Sequence, residues 1–160
     1  MQIFVMLNEK DLENFLKERN VNFEIVKFEK SVVTSTSAAN QVEGIIIKSI
    51  LLICDEFPIL CILLGKDRID FEKVRREVNC KDVRLAKAKE VKEITGYDIG
   101  ALPPIAHKQK ITTIIDKKLT EIKEDEIIYC GGGSHYHLLR IEKGKLLKIL
   151  GKTEIKDISQ

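Results

Sequence analysis

The stretch Ile45-Ile46-Ile47-Lys48-Ser49-Ile50-Leu51-Leu52-Ile53-Cys54 reads as a strand from the middle of a sheet. It is apolar almost throughout and rich in β-branched side chains, the composition of a strand covered on both faces. One cation interrupts it. Burying a lone ammonium without a partner is costly. Lys48 therefore either snorkels to an edge or holds an anion, and the stretch by itself leaves both open. Asp55-Glu56-Phe57-Pro58 follows as a hairpin loop to a second apolar strand, Ile59 to Leu64.

Upstream, Asn8 can cap a helix, with Asp11 completing a box-like arrangement. Leu12, Phe15 and Leu16 make its apolar face, and Asn20 suits its exit. Met1 to Leu7 is a short apolar run, a strand or the lead into that helix. Val21 to Phe28 predicts a strand, and Ser35 or Thr36 caps a short helix through Gln41. Downstream, Asp70 caps a helix through Val78 with Phe71, Val74 and Val78 facing inward. Val83 to Leu85 is a brief strand, and Lys87 to Thr95 a helix closed by Gly96. Ile111 to Ile115, Glu126 to Cys130 and His135 to Ile141 read as strands. Glu142 to Lys145 then reads as a hairpin turn into a last strand, Leu146 to Leu150. Strands mostly adjoin strands, with helices interspersed and no internal repeat or linker. This pattern predicts an α+β fold, one domain over residues 1–160 with a mixed sheet.

The segment Gly96-Tyr97-Asp98-Ile99-Gly100-Ala101-Leu102-Pro103-Pro104 can be neither a regular helix nor a central strand. Its backbone N–H groups can hold an anion or a developing oxyanion. It can equally be a plain connection in which Gly96 ends a helix. Gly131, Gly132 and Gly133 follow a strand and offer the same two readings. Together with Lys48, the two glycine segments suggest a cleft with two backbone walls and one cation. His135 and His137 stand two apart, so on a strand they share a face. No third ligand accompanies them, and no metal site is expected. Asp116 reads as a strand-end carboxylate in a structural hydrogen bond. No Ser-His-Asp order, paired-carboxylate site or phosphate loop occurs, so covalent catalysis has no support.

The 160 residues suit one domain with an adequate core, and 44% hydrophobic with 32% charged residues is a globular balance. A net charge of +2 excludes a strongly basic, sequence-independent nucleic-acid binder. Any RNA contact is expected to be a local patch. No apolar run reaches the length of a membrane span, so no membrane partner is expected. Cys54, Cys61, Cys80 and Cys130 form no Cys-x-x-Cys pair, and a reduced cytoplasmic setting is expected.

An ordered set of motifs resembles the YbaK-like family, which includes the editing domain of bacterial prolyl-tRNA synthetases and its freestanding relatives. The set is Thr36-Ser37-Ala38-Ala39, Ile47-Lys48-Ser49-Ile50-Leu51, Arg84-Leu85-Ala86, Thr95-Gly96-Tyr97-Asp98-Ile99-Gly100 with Pro103-Pro104, Ile115-Asp116 and Gly131-Gly132-Gly133. The resemblance implies a curved mixed sheet flanked by helices. It implies hydrolysis of amino acids wrongly attached to tRNA, with alanine or cysteine on prolyl-tRNA as the leading substrates and no cofactor. It also implies Lys48, Gly100 and His137 as catalytic residues. Thr36, Ser49, Gly96, Tyr97, Pro103, Pro104, Gly131, Gly132 and Gly133 would bind substrate. The partner is the acceptor end of an aminoacyl-tRNA, with an aminoacyl-tRNA synthetase as a further candidate, and the protein would be a monomer or small homo-oligomer. A non-catalytic module that binds a tRNA end or nucleotide, or a regulatory partner of a synthetase, is the alternative. Family members often carry glycine just before the position of His107, where this chain has Ala106.

Overall fold

A computed structural model describes residues 6–160. Of the apolar run Met1 to Leu7, only Met6 and Leu7 lie within them. The strands are β1 (Glu24–Lys27), β2 (Ile45–Cys54), β3 (Phe57–Leu64), β4 (Val83–Leu85), β5 (Thr112–Asp116), β6 (Ile127–Gly131), β7 (His137–Glu142) and β8 (Glu154–Lys156). The helices are α1 (Glu9–Glu18), α2 (Ser35–Ala39), α3 (Phe71–Val78), α4 (Ala88–Thr95) and α5 (Lys143–Leu150). The strands form one mixed sheet in the order β1-β7-β6-β2-β3-β5-β8, with β4 also beside β2. β2 is the hub, paired antiparallel to β3 and β4 and parallel to β6. The α+β reading therefore holds.

Alternation along β2 builds the layers. Ile47, Leu51 and Ile53 enter a core with Leu12 and Leu16 of α1, Tyr97, and Leu146 of α5. Leu52 and Cys54 enter a second core on the other face with Val74 of α3. Ile46 packs against a third cluster under α2, where Val32, Ala38 and Leu138 meet. Asn8 caps α1 as predicted, with the Lys10 N–H on its Oδ1 at 2.9 Å and its own N–H on Asp11 Oδ2 at 2.8 Å.

Several local readings need correction. Thr34, not Ser35 or Thr36, caps α2, because its Oγ1 accepts the Ser37 N–H at 3.0 Å and Ser37 Oγ accepts the Thr34 N–H at 3.0 Å. The β2–β3 turn is only Asp55-Glu56, so Phe57 and Pro58 are already in β3, opposite Cys54 and Ile53. Phe71 is 40% exposed rather than inward-facing. Leu146 to Leu150 is helical, not a strand. Lys143, Leu146, Leu147 and Leu150 recur at helical spacing. Buried Lys143 anchors this start by donating to Ile122 O at 2.8 Å and Glu124 Oε1 at 3.0 Å. The short, charged β8 beside β5 was not anticipated. Asp116 is fully buried, and its carboxylate accepts from Ile158 N–H at 3.1 Å and Ser159 Oγ at 2.9 Å. That carboxylate ties the chain's last described residues to the sheet.

Candidate functional site

β2 and β6 pair over only two positions, Ile45 with Ile128 and Ile46 with Tyr129. β4 covers the same edge of β2 from Leu52 onward. Among the described residues, the edge of Ile47 to Ile50 between these pairings has no strand against it. Hydrogen-bonding direction alternates along a strand. The Ile46 carbonyl accepts Gly65 N–H of the β3 end at 2.7 Å, and the Leu51 carbonyl accepts Ala86 N–H on the β4 side at 3.0 Å. The main-chain N–H and C=O of Ser49 therefore face the gap.

A small cavity of about 70 Å³ occupies this gap. Its walls include Lys48 and Ser49 of β2, Gly131 of β6, Leu138 of β7, Gly100, and Thr34 at the head of α2. The two glycine segments do come together here. Ile99–Ala101 is a single 3₁₀ turn in which Ala101 N–H donates to Asp98 O at 2.9 Å. The N–H groups of Ile99 and Gly100 lead that turn and have no carbonyl within it to bond. Gly133 N–H donates to Ala101 O at 2.9 Å and latches the second segment to the first. Gly100 itself lies under Val33, whose Cβ would sit 2.7 Å from a β-carbon placed there.

Lys48 lines this cavity, and Gly65, one of its two acceptors, lines a larger groove. Its Nζ donates to Gly65 O at 3.2 Å and to Asp67 O, both in the turn after β3. An ammonium has three donors, so one remains for a ligand. Burial lowers its pKa from the ordinary lysine value; the Asp67 carboxylate opposes this and Arg68 adds to it. The groove, of about 700 Å³, is lined by Ser35, Thr36, Gly65, Lys66, Lys118 and Lys123 among others. Ser35 and Ile46 border both spaces. Cys130 also lines the cavity, but burial pushes its thiol up to about 12, which leaves it protonated near neutrality.

The remaining residues singled out from sequence stand elsewhere. Gly96 closes α4 in the left-handed region at φ +91°, its N–H on Lys92 O at 3.0 Å, so that group is not free for an oxyanion. Tyr97 is fully buried in the main core, and its hydroxyl donates to Ala106 O at 2.8 Å. Pro103 and Pro104 are buried, and the Pro103 carbonyl accepts from His107 Nε2 at 2.8 Å. Gly132 passes too close to the His137 main chain for a side chain, at 2.5 Å from a β-carbon position. Thr36 faces the large groove rather than the cavity. His137 opens β7 one residue before Leu138, which lines the cavity; alternation turns His137 to the other face. There its Nδ1 shares a hydrogen bond with Ser134 Oγ. His135 precedes the strand and faces Asp98 Oδ2 at 3.8 Å, so the two histidines do not share a strand face. Sequence reasoning missed Thr34, Ser35 and Lys118 as residues of these spaces; the run of hydroxyl residues at the head of the short helix was a visible signal for the first two and none for Lys118.

A model of the aminoacyl-tRNA editing domain matches residues 29–149, a span that contains the cavity, its glycines and Lys48. The chain belongs to the aminoacyl-tRNA editing domain family. It is 26% identical to a proline–tRNA ligase of Streptococcus gordonii over 99 residues, covering 62% of this chain and 16% of the ligase. It is also 26% identical to that of Pediococcus pentosaceus over 100 residues, covering 61% of this chain and 18% of the ligase. This editing domain thus spans less than a fifth of the length of these curated relatives. A crystal structure provisionally assigned as a trans-editing enzyme for prolyl-tRNA synthetase superposes with a TM-score of 0.82 at 27% identity, over 95% of this chain and 96% of that one.

Proposed function

We propose that this editing domain is a trans-acting deacylase that hydrolyses the ester joining a small amino acid to the terminal ribose of tRNA. Alanine or cysteine on tRNA for proline is the favoured substrate, in keeping with the kinship to proline–tRNA ligases. The observation that carries the reading is the small, backbone-walled cavity opening beside a groove ten times its volume. At about 70 Å³ the cavity is far below the volume of a nucleotide-sized site and suits a small group such as an alanyl or cysteinyl moiety. The groove falls in the range that holds a whole nucleotide-sized ligand. An aminoacyl group in the cavity and the terminal adenosine in the groove place the ester beside Lys48.

Water attacks the ester carbonyl carbon, and the oxyanion forms against main-chain donors at Gly100 and Ser49. The C–O bond to the ribose then breaks, and the ribose oxygen leaves with a proton. Lys48 offers its third donor to the phosphate or carbonyl side of the substrate. Among the described residues lining the cavity there is no carboxylate or imidazole, its titratable side chains being Lys48 and the protonated Cys130; Glu121 and Glu126 line the groove. The neighbouring ribose hydroxyl is therefore assigned the task of positioning the water. That same lack of a base favours one second reading, a module that binds the tRNA end without turnover.

The experiment uses a panel of mischarged tRNAs, each with a normal terminal adenosine or a 2′-deoxyadenosine charged at the 3′ position. Release of alanine or cysteine from the normal end, slowed by about 10²-fold or more on the deoxy end, supports the reading. Equal turnover shows that the protein supplies its own base. Binding without release on every member establishes the module instead.

A further inference from the structure

The turn that follows β3 does more than connect it to α3. Two of its carbonyls, those of Gly65 and Asp67, receive the Lys48 ammonium. The turn is itself held from two sides. Asp67 N–H donates to Leu64 O at 3.0 Å, and the Asp67 carboxylate accepts Lys118 Nζ at 3.3 Å. Lys118 stands on the 3₁₀ turn Lys117–Glu121 and donates also to Gln160 O at 3.1 Å. Gln160 N–H returns to Arg68 O at 2.9 Å and closes a ring of contacts around Asp67. The Asp67 side chain is only 14% exposed, so the carboxylate end of this ion pair is shielded from water.

We propose that Asp67, fixed by Lys118, is a positioning residue that aims the Lys48 ammonium at the junction of the cavity and the groove. The inference rests on reading Lys48 as the cation that meets the substrate. A lysine stem has four rotatable carbons, and a free one would sweep a wide volume. Two carbonyl acceptors restrict it to one orientation and leave a single donor for the ligand. The charges around it are arranged with the same result. Asp67 favours the ammonium form, while burial and Arg68 oppose it. Lys66 sits on the same turn but lines the groove, and Lys118 reaches Lys48 only through Asp67.

Two substitutions act in opposite directions on Lys48 if this coupling is real. Asp67→Asn keeps the main-chain carbonyl but removes the carboxylate and leaves Lys118 unpaired, so Lys48 should titrate at lower pH than in the wild type. Lys118→Met leaves the Asp67 carboxylate unneutralised, so Lys48 should titrate at higher pH. Asp67→Glu should restore wild-type behaviour. The readout is the Lys48 side-chain signal in nitrogen-labelled protein, followed by NMR through the alkaline range and assigned by its loss in Lys48→Met. It requires no substrate. Single-turnover release from alanyl-tRNA is measured on the same proteins, with a loss of about tenfold or more expected in Asp67→Asn. General loosening of the turn would move Lys48 the same way in both variants, and that result, or no movement in either, overturns the proposal. If the wild type releases no amino acid, the deacylase reading fails while the opposite titration shifts still stand as the test of positioning.

Discussion

A β-carbon placed on Gly131 would stand 2.1 Å from the carbonyl oxygen of Leu102. The last residue of β6 and the segment before the proline pair are therefore in backbone-to-backbone contact across the cavity mouth. No side-chain rotation relieves such a clash, because the obstructing atom belongs to the main chain. Gly131→Ala should lower stability by about 2 kcal/mol or more, as overpacking against a fixed backbone does. Deacylation should fall further than the folded fraction explains, since the cavity wall must move. Thermal melting beside single-turnover hydrolysis at a temperature where both proteins are folded checks this. A variant that melts and reacts like wild type would show that the two segments are not in contact.

Ala106 has φ +67°, in the left-handed region where a β-carbon is disfavoured. Its conformation is imposed by its neighbours: its carbonyl accepts the buried Tyr97 hydroxyl at 2.8 Å, and His107 turns back to Pro103. Ala106→Gly should relieve the strain at the cost of a more flexible unfolded chain, for a net gain of about 0.5–1 kcal/mol. That corresponds to a melting point higher by roughly 1–4 °C. A lower melting point would mean that the alanine methyl contributes more by packing than it costs in strain.

The parts of this protein that were legible in advance are those decided within a few residues. The β2 run, the Asn8 and Asp70 caps and the closure of α4 at Gly96 all follow from side chains beside the backbone groups they serve. Thr34, Ser35 and Thr36 could each cap a helix, and only the reciprocal bond to Ser37 selects the first. Leu146 to Leu150 is too short for its periodicity to separate helix from strand. That the glycine segments and Lys48 wall one cleft was legible, since Lys48, Gly100 and Gly131 line the same cavity. Its position was not, because it depends on where β6 leaves β2, a pairing between distant segments. The acceptors of Lys48 and the turning away of His137 are likewise consequences of register rather than of neighbouring sequence.

Lys48→Met tests whether that lysine is present for chemistry or for the fold. Two effects oppose one another in the folded protein. Removing the ammonium relieves a desolvation cost, but it leaves the carbonyls of Gly65 and Asp67 without their donor. At neutral pH the melting point should therefore stay within a few degrees of wild type, about 1 kcal/mol either way. Burial lowers the Lys48 pKa in the folded state, so the unfolded chain binds its proton more tightly. Between the folded value and the ordinary lysine value the unfolded state holds more protons, and this residue's contribution to stability rises with pH. The wild type should accordingly gain on Lys48→Met as pH climbs through that alkaline window, with a constant difference below it. Deacylation should be lost in Lys48→Met at every pH, and Lys48→Arg should restore little, because a planar fork does not reproduce a compact ammonium on two carbonyls. The measurements are paired melting curves from neutral to alkaline pH and single-turnover release on the same preparations. Full activity in Lys48→Met would remove the cation from the proposed chemistry. A difference in stability that shrinks as pH rises would reverse the sign of the burial effect assigned to it.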